Sequence, residues 1–212
     1  MKSTQHIGFW LVLVILGFLT APMVRSGDEM QAFVDAEVSQ TRQALGPTVG
    51  EFVVSFADSV FDESPLGELA RVARNTKYTR AETELSTTVA GPGGEVMSKL
   101  FNRYLQGIVW QTYVVAMRMA IVFVWLLVLS PFLIAAIHDG FMNRRIKLAE
   151  FGVIRPATFS IASFFVIPLL MLPLIYLVVP FSLSPMLAPG WALILAMPLS
   201  LLVSNMQPIF GR

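Results

Sequence analysis

Residues 119–137 read MAIVFVWLLVLSPFLIAAI, nineteen positions without a charged side chain. A helix of about 20 apolar residues crosses the hydrocarbon core of a bilayer, whereas a soluble helix needs a polar face for water. The rest of the chain agrees: it is 55% hydrophobic and only 14% charged, with mean hydropathy +0.68. Soluble domains carry about 25% charged residues, so a large soluble core is excluded. Net charge is +1, which by itself implies no nucleic-acid or other polyanionic partner. Cysteine is absent, which removes disulfides, thiolate metal sites and cysteine nucleophiles.

Three further apolar runs accompany the first. Residues 7–24, IGFWLVLVILGFLTAPMV, are uncharged and preceded by Lys2. A cleaved signal peptide is the rival reading, with a small-residue site near Thr20 and Ala21. Pro22 would then follow the cut, and the run is long for a signal peptide, so a retained anchor is expected. Residues 158–181 hold Pro168, Pro173 and Pro180, and residues 187–204 hold Pro198. The expected class is an all-α membrane protein with four transmembrane helices, at 7–24, 114–137, 158–181 and 187–204.

Residues 25–113 differ in kind. Met30, Phe33, Val38, Thr41 and Leu45 recur at helical spacing, and Gly46-Pro47 breaks the stripe. Val49, Phe52, Val53, Phe56 and Val60 form a second one. Ser64-Pro65 reads as an N-cap with proline at the first helical position, opening a short helix through Leu69 and Val72. Residues 82–95, ETELSTTVAGPGGE, read as a loop. From Glu95 the pattern turns helical again, through Val96, Leu100, Phe101, Tyr104 and Ile108, and runs unbroken into the second span. Trp110, Tyr113 and Arg118 fall where interfacial anchors belong.

Lysine and arginine in short loops set orientation. The 138–157 loop holds Arg144, Arg145, Lys147 and Arg155, while residues 182–189 hold none. Segment 25–113 has eight basic and twelve acidic residues. The division is therefore an anchor at 1–24, a helical periplasmic segment at 25–113, a second span at 114–137, and a basic cytoplasmic loop at 138–157. The third and fourth spans follow at 158–204, with a cytoplasmic tail at 205–212. In a bacterial inner membrane both termini are expected on the cytoplasmic side, with Arg144, Arg145, Lys147 and Arg155 contacting lipid headgroups.

Chemistry-bearing residues are few. His138-Asp139 would need further converging ligands to bind metal, and the other histidine, His6, stands at no ligand spacing to it. Polar residues at a membrane boundary are the simpler reading. Arg118 borders the uncharged run and can snorkel to the interface, with no carboxylate in any other span to neutralise it. The prolines of the third and fourth spans read as kinked packing before a transport path. Asp62-Glu63 and Glu82/Glu84 read as solvated charges. Neither a phosphate-binding loop nor a nucleophile elbow occurs, so no enzyme and no cofactor are expected.

The segment HDGFMNRRIKLAEFGVIRPATFS, residues 138–160, resembles the integrating conjugative element membrane proteins. His138, Asp139-Gly140, Arg144-Arg145, Phe151-Gly152 and the stretch from Pro156 to Ser160 carry the likeness, within a similar order of spans. At Gly152-Val153 the chain departs from the family, which often has an aromatic residue there. The resemblance implies a Gram-negative inner membrane and the type IV secretion or coupling machinery of a mobile element. It transfers no catalytic residue. The expected function is a non-enzymatic accessory or scaffold of conjugative DNA transfer. Its expected partners are membrane lipids and other membrane or periplasmic subunits, without direct nucleic-acid binding. A small transporter or channel subunit using the kinked third and fourth spans is the alternative.

Overall fold

A computed structural model describes residues 3–25, 27–150 and 155–206, and these residues form seven α-helices. They are α1 Ser3–Val24, α2 Gly27–Glu63, α3 Pro65–Asn75, α4 Arg80–Ala90, α5 Pro92–Ala149, α6 Pro156–Val178 and α7 Leu187–Ser204. Four of them, α1, α5, α6 and α7, are long and apolar enough to cross a membrane. Only 11–22% of their apolar windows is buried within the protein. Such surfaces suit a lipid solvent, because water would penalise each exposed apolar side chain.

The chain packs as two units. One comprises Val12–Ile121 and Ile175–Pro185; the other comprises the described residues of Met1–Leu11, Val122–Leu174 and Met186–Arg212.

In the first unit, α2 bends at Gly46, whose φ of 78° lies in the region that favours glycine. The bend brings Arg42 Nε to 2.9 Å from Glu51 Oε1. The first α2 stripe packs on α5: Met30, Phe33 and Val34 form a core with Val114, flanked by Val38, Trp110 and Tyr113. Ser64 caps α3 by accepting a hydrogen bond from the Leu66 N–H, with Pro65 at the first position. Ala70 and Ala73 pack on Leu105 and Val109, while Leu69 and Val72 point outward. Alanines permit the closer approach of two helices, and that outweighs burying the larger residues here.

The expected loop at 82–95 is mostly helix. Thr79 and Glu82 form a reciprocal capping box that starts α4. The hydroxyls of Thr83, Thr87 and Thr88 donate to the carbonyls of Thr79, Thr83 and Glu84 one turn back. This lets threonines sit in a helix without competing for the backbone elsewhere. Gly91 (φ 67°) ends α4, and α5 starts at Pro92. A Cβ on Gly94 would lie 2.2 Å from the Ser86 carbonyl oxygen, so only glycine admits this tight reversal.

Helix α5 is 58 residues long, far more than the roughly 20 that a bilayer core requires. It therefore includes most of what reads in sequence as a cytoplasmic loop: residues 138–149 are helical, because nothing in HDGFMNRRIKLA breaks a helix. Pro131 lies inside it without an N–H to donate to Leu127 O; the Ser130 hydroxyl donates there instead, at 2.9 Å.

In the second unit, α7 packs on α5 at Gly140, where a Cβ would come within 2.8 Å of both Ser200 O and Val203 Cβ. Helix α6 ends at Val178, short of the expected boundary at 181. Within it, Pro173 leaves the Leu169 carbonyl without its helical donor. The Trp191 indole N–H fills that place at 2.7 Å.

Candidate functional site: helix ends held by α5

The polar groups of α5 gather at two places, each at the C-terminal end of a neighbouring helix. The last carbonyls of a helix have no donor within it and carry partial negative charge. A cation supplied from outside answers both needs.

At the end of α6 that cation is Arg118. Its Nη1 donates to Tyr176 O at 2.7 Å and Val179 O at 2.6 Å, and its Nη2 donates to Phe181 O at 2.7 Å. Pro180 explains the vacancy at Tyr176, since it lacks the N–H that would have continued the helix. Gln111 donates to Val178 O at 3.2 Å. On the other side of the guanidinium, Glu37 of α2 accepts from Nε at 2.7 Å and from Nη2 at 3.1 Å. All five guanidinium N–H groups have acceptors close by, the full capacity of an arginine. The rings of Phe33 and Tyr176 lie 5.7 and 5.1 Å from Cζ.

Both members of the pair are buried, Arg118 at 0% exposure and Glu37 at 1%. Burial pushes the Glu37 carboxyl above the usual range, and the Arg118 charge pulls against it. The snorkelling expected of Arg118 is thus replaced by an enclosed ion pair. Its carboxylate comes from α2, outside the four apolar helices.

Around the pair, residues 114–118 and 120–121 of α5 are all buried. Trp110 and Tyr113, expected as interfacial anchors, pack against α2. The Tyr113 hydroxyl donates to Asp58 Oδ1 at 2.8 Å.

At the end of α7 stands Lys147, which meets side chains there rather than the carbonyls, the Leu201 carbonyl being taken by the Ser204 hydroxyl and the Asn205 amide. Its Nζ lies 3.2 Å from Asn205 Oδ1 and 3.5 Å from Ser204 Oγ. The Arg155 N–H reaches the same Asn205 oxygen at 3.5 Å. One turn and more before Lys147, Asp139 Oδ2 accepts from Ser200 Oγ at 2.7 Å and from Asn143 Nδ2 at 3.0 Å. Asp139-Gly140 is therefore a docking point for α7, with the aspartate holding a hydroxyl and the glycine giving room. His138 is exposed and joins none of these contacts. Among the described residues no three histidine, aspartate or glutamate side chains group as a metal site. Arg145 is exposed and Arg144 half-buried. Phe151 lies outside the described residues.

Glu37, Gln111, Trp191, Ser200 and Asn205 were not singled out by sequence reasoning. Only Glu37 left a usable signal. It stands four residues after Phe33 and four before Thr41, on the face that buries both. A carboxylate on an apolar face needs a buried partner.

No curated protein and no solved structure matches the chain. The family described as "IncC plasmid conjugative DNA transfer protein DtrJ-like" matches residues 26–211. That range includes the second, third and fourth apolar helices, both cations at the helix ends and the Asp139-Gly140 contact. The expected conjugative-transfer setting holds, and the chain belongs to the DtrJ-like family of conjugative DNA transfer proteins.

Proposed function

We propose that this protein is a non-enzymatic scaffold of a conjugative DNA-transfer apparatus, integral to the bacterial inner membrane. Both termini lie in the cytoplasm and residues 25–113 in the periplasm. The observation that carries the reading is how α5 uses its polar residues. Arg118, Gln111, Asp139 and Lys147 all tie neighbouring helices to α5. The family supplies the setting, and four apolar helices supply the means of insertion. The carbonyls freed at Pro173 and Pro180 are taken by Trp191 and Arg118, which favours fixed packing over a permeation path.

In this reading the helices of 25–113 dock membrane or periplasmic subunits, and Arg144, Arg145, Lys147 and Arg155 hold the orientation. The test combines topology reporters with a mating assay. Reporters fused after residue 90 should read periplasmic and those fused at the C-terminus cytoplasmic. Neutralising Arg144, Arg145 and Lys147 together should scramble that pattern and lower transfer frequency at least about tenfold, given that basic loop residues set orientation. Unchanged topology and transfer in the triple variant would remove the anchoring role, and ion flux through the reconstituted protein would replace the scaffold with a channel.

A further inference from the structure

Some basic residues of this chain pair with carboxylates, while others, Arg25, Arg74, Lys77 and Arg103 included, show no such pair among the described residues. Arg42, Arg71, Arg80, Lys99 and Arg118 each have a carboxylate within ion-pair distance. Arg144, Arg145, Lys147 and Arg155 have none among the described residues, and yet they lie within twelve positions of one another. Two of the four side chains come together, and a third residue joins them through its backbone. Arg144 and Lys147 are three apart on α5 and both half-buried, on the side that Gly140 turns to α7. Lys147 Nζ and the Arg155 N–H converge on Asn205 Oδ1, at 3.2 and 3.5 Å. Asn205 itself is 2% exposed. The Arg144 Nε is buried and has no acceptor among the described residues. A guanidinium donor shut away from water and left unbonded is costly, so the arrangement lacks an acceptor of negative charge.

The surrounding surface says which kind of acceptor fits. Phe141, Met142, Ile146 and Leu148 are 44–56% exposed and alternate with the basic residues along the same three turns. Water alone would disfavour the apolar members, and hydrocarbon alone would disfavour the charges. A headgroup layer accommodates both. Basic pockets between membrane helices recognise phosphate headgroups in this way.

We infer that Arg144 and Lys147, at the C-terminal end of α7 with the Arg155 backbone N–H beside them, form a binding site for the phosphate headgroup of an anionic phospholipid. The inference rests on the membrane reading above and adds a specific ligand to it. Two phosphate oxygens satisfy the Arg144 guanidinium and the free donors of Lys147, while the acyl chains lie along Phe141 and Ile146. Arg145, on the exposed side of α5, serves the orientation of the chain and lies outside this phosphate site.

The test uses the full-length protein, purified in mild detergent and stripped of lipid. Binding of dioleoyl phosphatidylglycerol is compared with dioleoyl phosphatidylcholine by native mass spectrometry. Inorganic phosphate and a short single-stranded oligonucleotide are offered as competitors. The anionic lipid should bind at least about tenfold tighter than the zwitterionic one, as expected for several basic contacts of modest strength each. R144Q/K147Q should lose most of that preference, R144K/K147R should keep it, and R145Q should change affinity by less than about twofold. R144Q alone, at a half-buried position, serves should the double variant misfold; it should weaken the anionic lipid and leave the zwitterionic one unchanged.

Equal binding of the two lipids would overturn the site. So would an R145Q loss as large as that of R144Q/K147Q, or displacement of lipid by phosphate or oligonucleotide at matching concentration. Each of these outcomes is read on purified protein. A failed lipid preference with intact reporter topology would sink this site alone, and wrong topology would sink the membrane reading.

Discussion

Helix α5 brings a cation to the C-terminal end of two of its neighbours, and the two contacts are built differently: Arg118 bonds backbone carbonyls and Lys147 only side chains. Arg118 is fully enclosed, engages every donor it has, and is neutralised by Glu37 brought from α2. Lys147 is half-buried, makes two contacts at 3.2 and 3.5 Å, and has no carboxylate near it among the described residues. The first is a closed network that fixes three elements in one arrangement. The second is an open one, with charge left over for something outside the chain. Burial decides the difference. A charge removed from water must be fully compensated within the protein, whereas a boundary charge can rely on solvent or headgroups.

The comparison breaks most readily at Arg118. R118A leaves Glu37 as a lone buried carboxylate and three carbonyls without their donor, and should cost about 3–5 kcal/mol, the usual loss when a buried pair is split. Thermal unfolding in detergent measures it, and E37A should show a similar loss. The same truncation at Lys147 should cost no more than about 1 kcal/mol, as for an exposed cation at a helix end. Equal losses at the two positions would erase the distinction between the two contacts.

A second test sharpens how α7 is held. G140A places a methyl group against a backbone oxygen and Val203, and overpacking of this kind costs about 1–3 kcal/mol. The chain has no native cysteine, so paired cysteines at Phe141 and Leu201 can report the α5–α7 distance by spin-label spectroscopy. An unchanged distance and stability in G140A would show that Gly140 is not what sets the approach.

The smallest effect lies far from both contacts, at the start of α4. The Thr79 N–H and hydroxyl hold the Glu82 carboxyl below the usual range. Its contribution is therefore present above the ordinary carboxylate pKa and is lost as pH falls through the lowered folded value. A spin label at position 85 should gain mobility as the medium is acidified toward about pH 3, below ordinary carboxylate values. E82Q should be mobile already at neutral pH and insensitive to acid; an acid response that survives E82Q would assign it to another group.

The sequence made the apolar helices legible because length and missing charge are local properties. The Gly46 break and the Ser64 cap were legible for the same reason. Other features depend on which surfaces meet. Leu69 and Val72 are the large apolar residues of α3, yet Ala70 and Ala73 are the ones against α5, where small side chains fit better. The serine- and threonine-rich stretch at 82–90 looks like a loop because composition does not show hydroxyls bonding one turn back. Its T-x-x-E capping box was readable and went unread. The Arg118 partner was hidden by 81 residues of separation, and Asp139-Gly140 stood out in sequence without revealing that it docks α7.

Pro173 and Trp191 have a consequence of their own. A proline normally gives a membrane helix a point of give, because the carbonyl it frees can trade partners as the helix flexes. Here the Trp191 indole occupies that carbonyl from α7, turning a potential swivel into a pinned joint shared by two helices. The two residues then function as one part. Restoring an N–H at position 173 would set backbone and indole in competition for one oxygen, and losing the indole would free a bend that is now fixed. Substitutions at either position should be tolerated best when they arrive together.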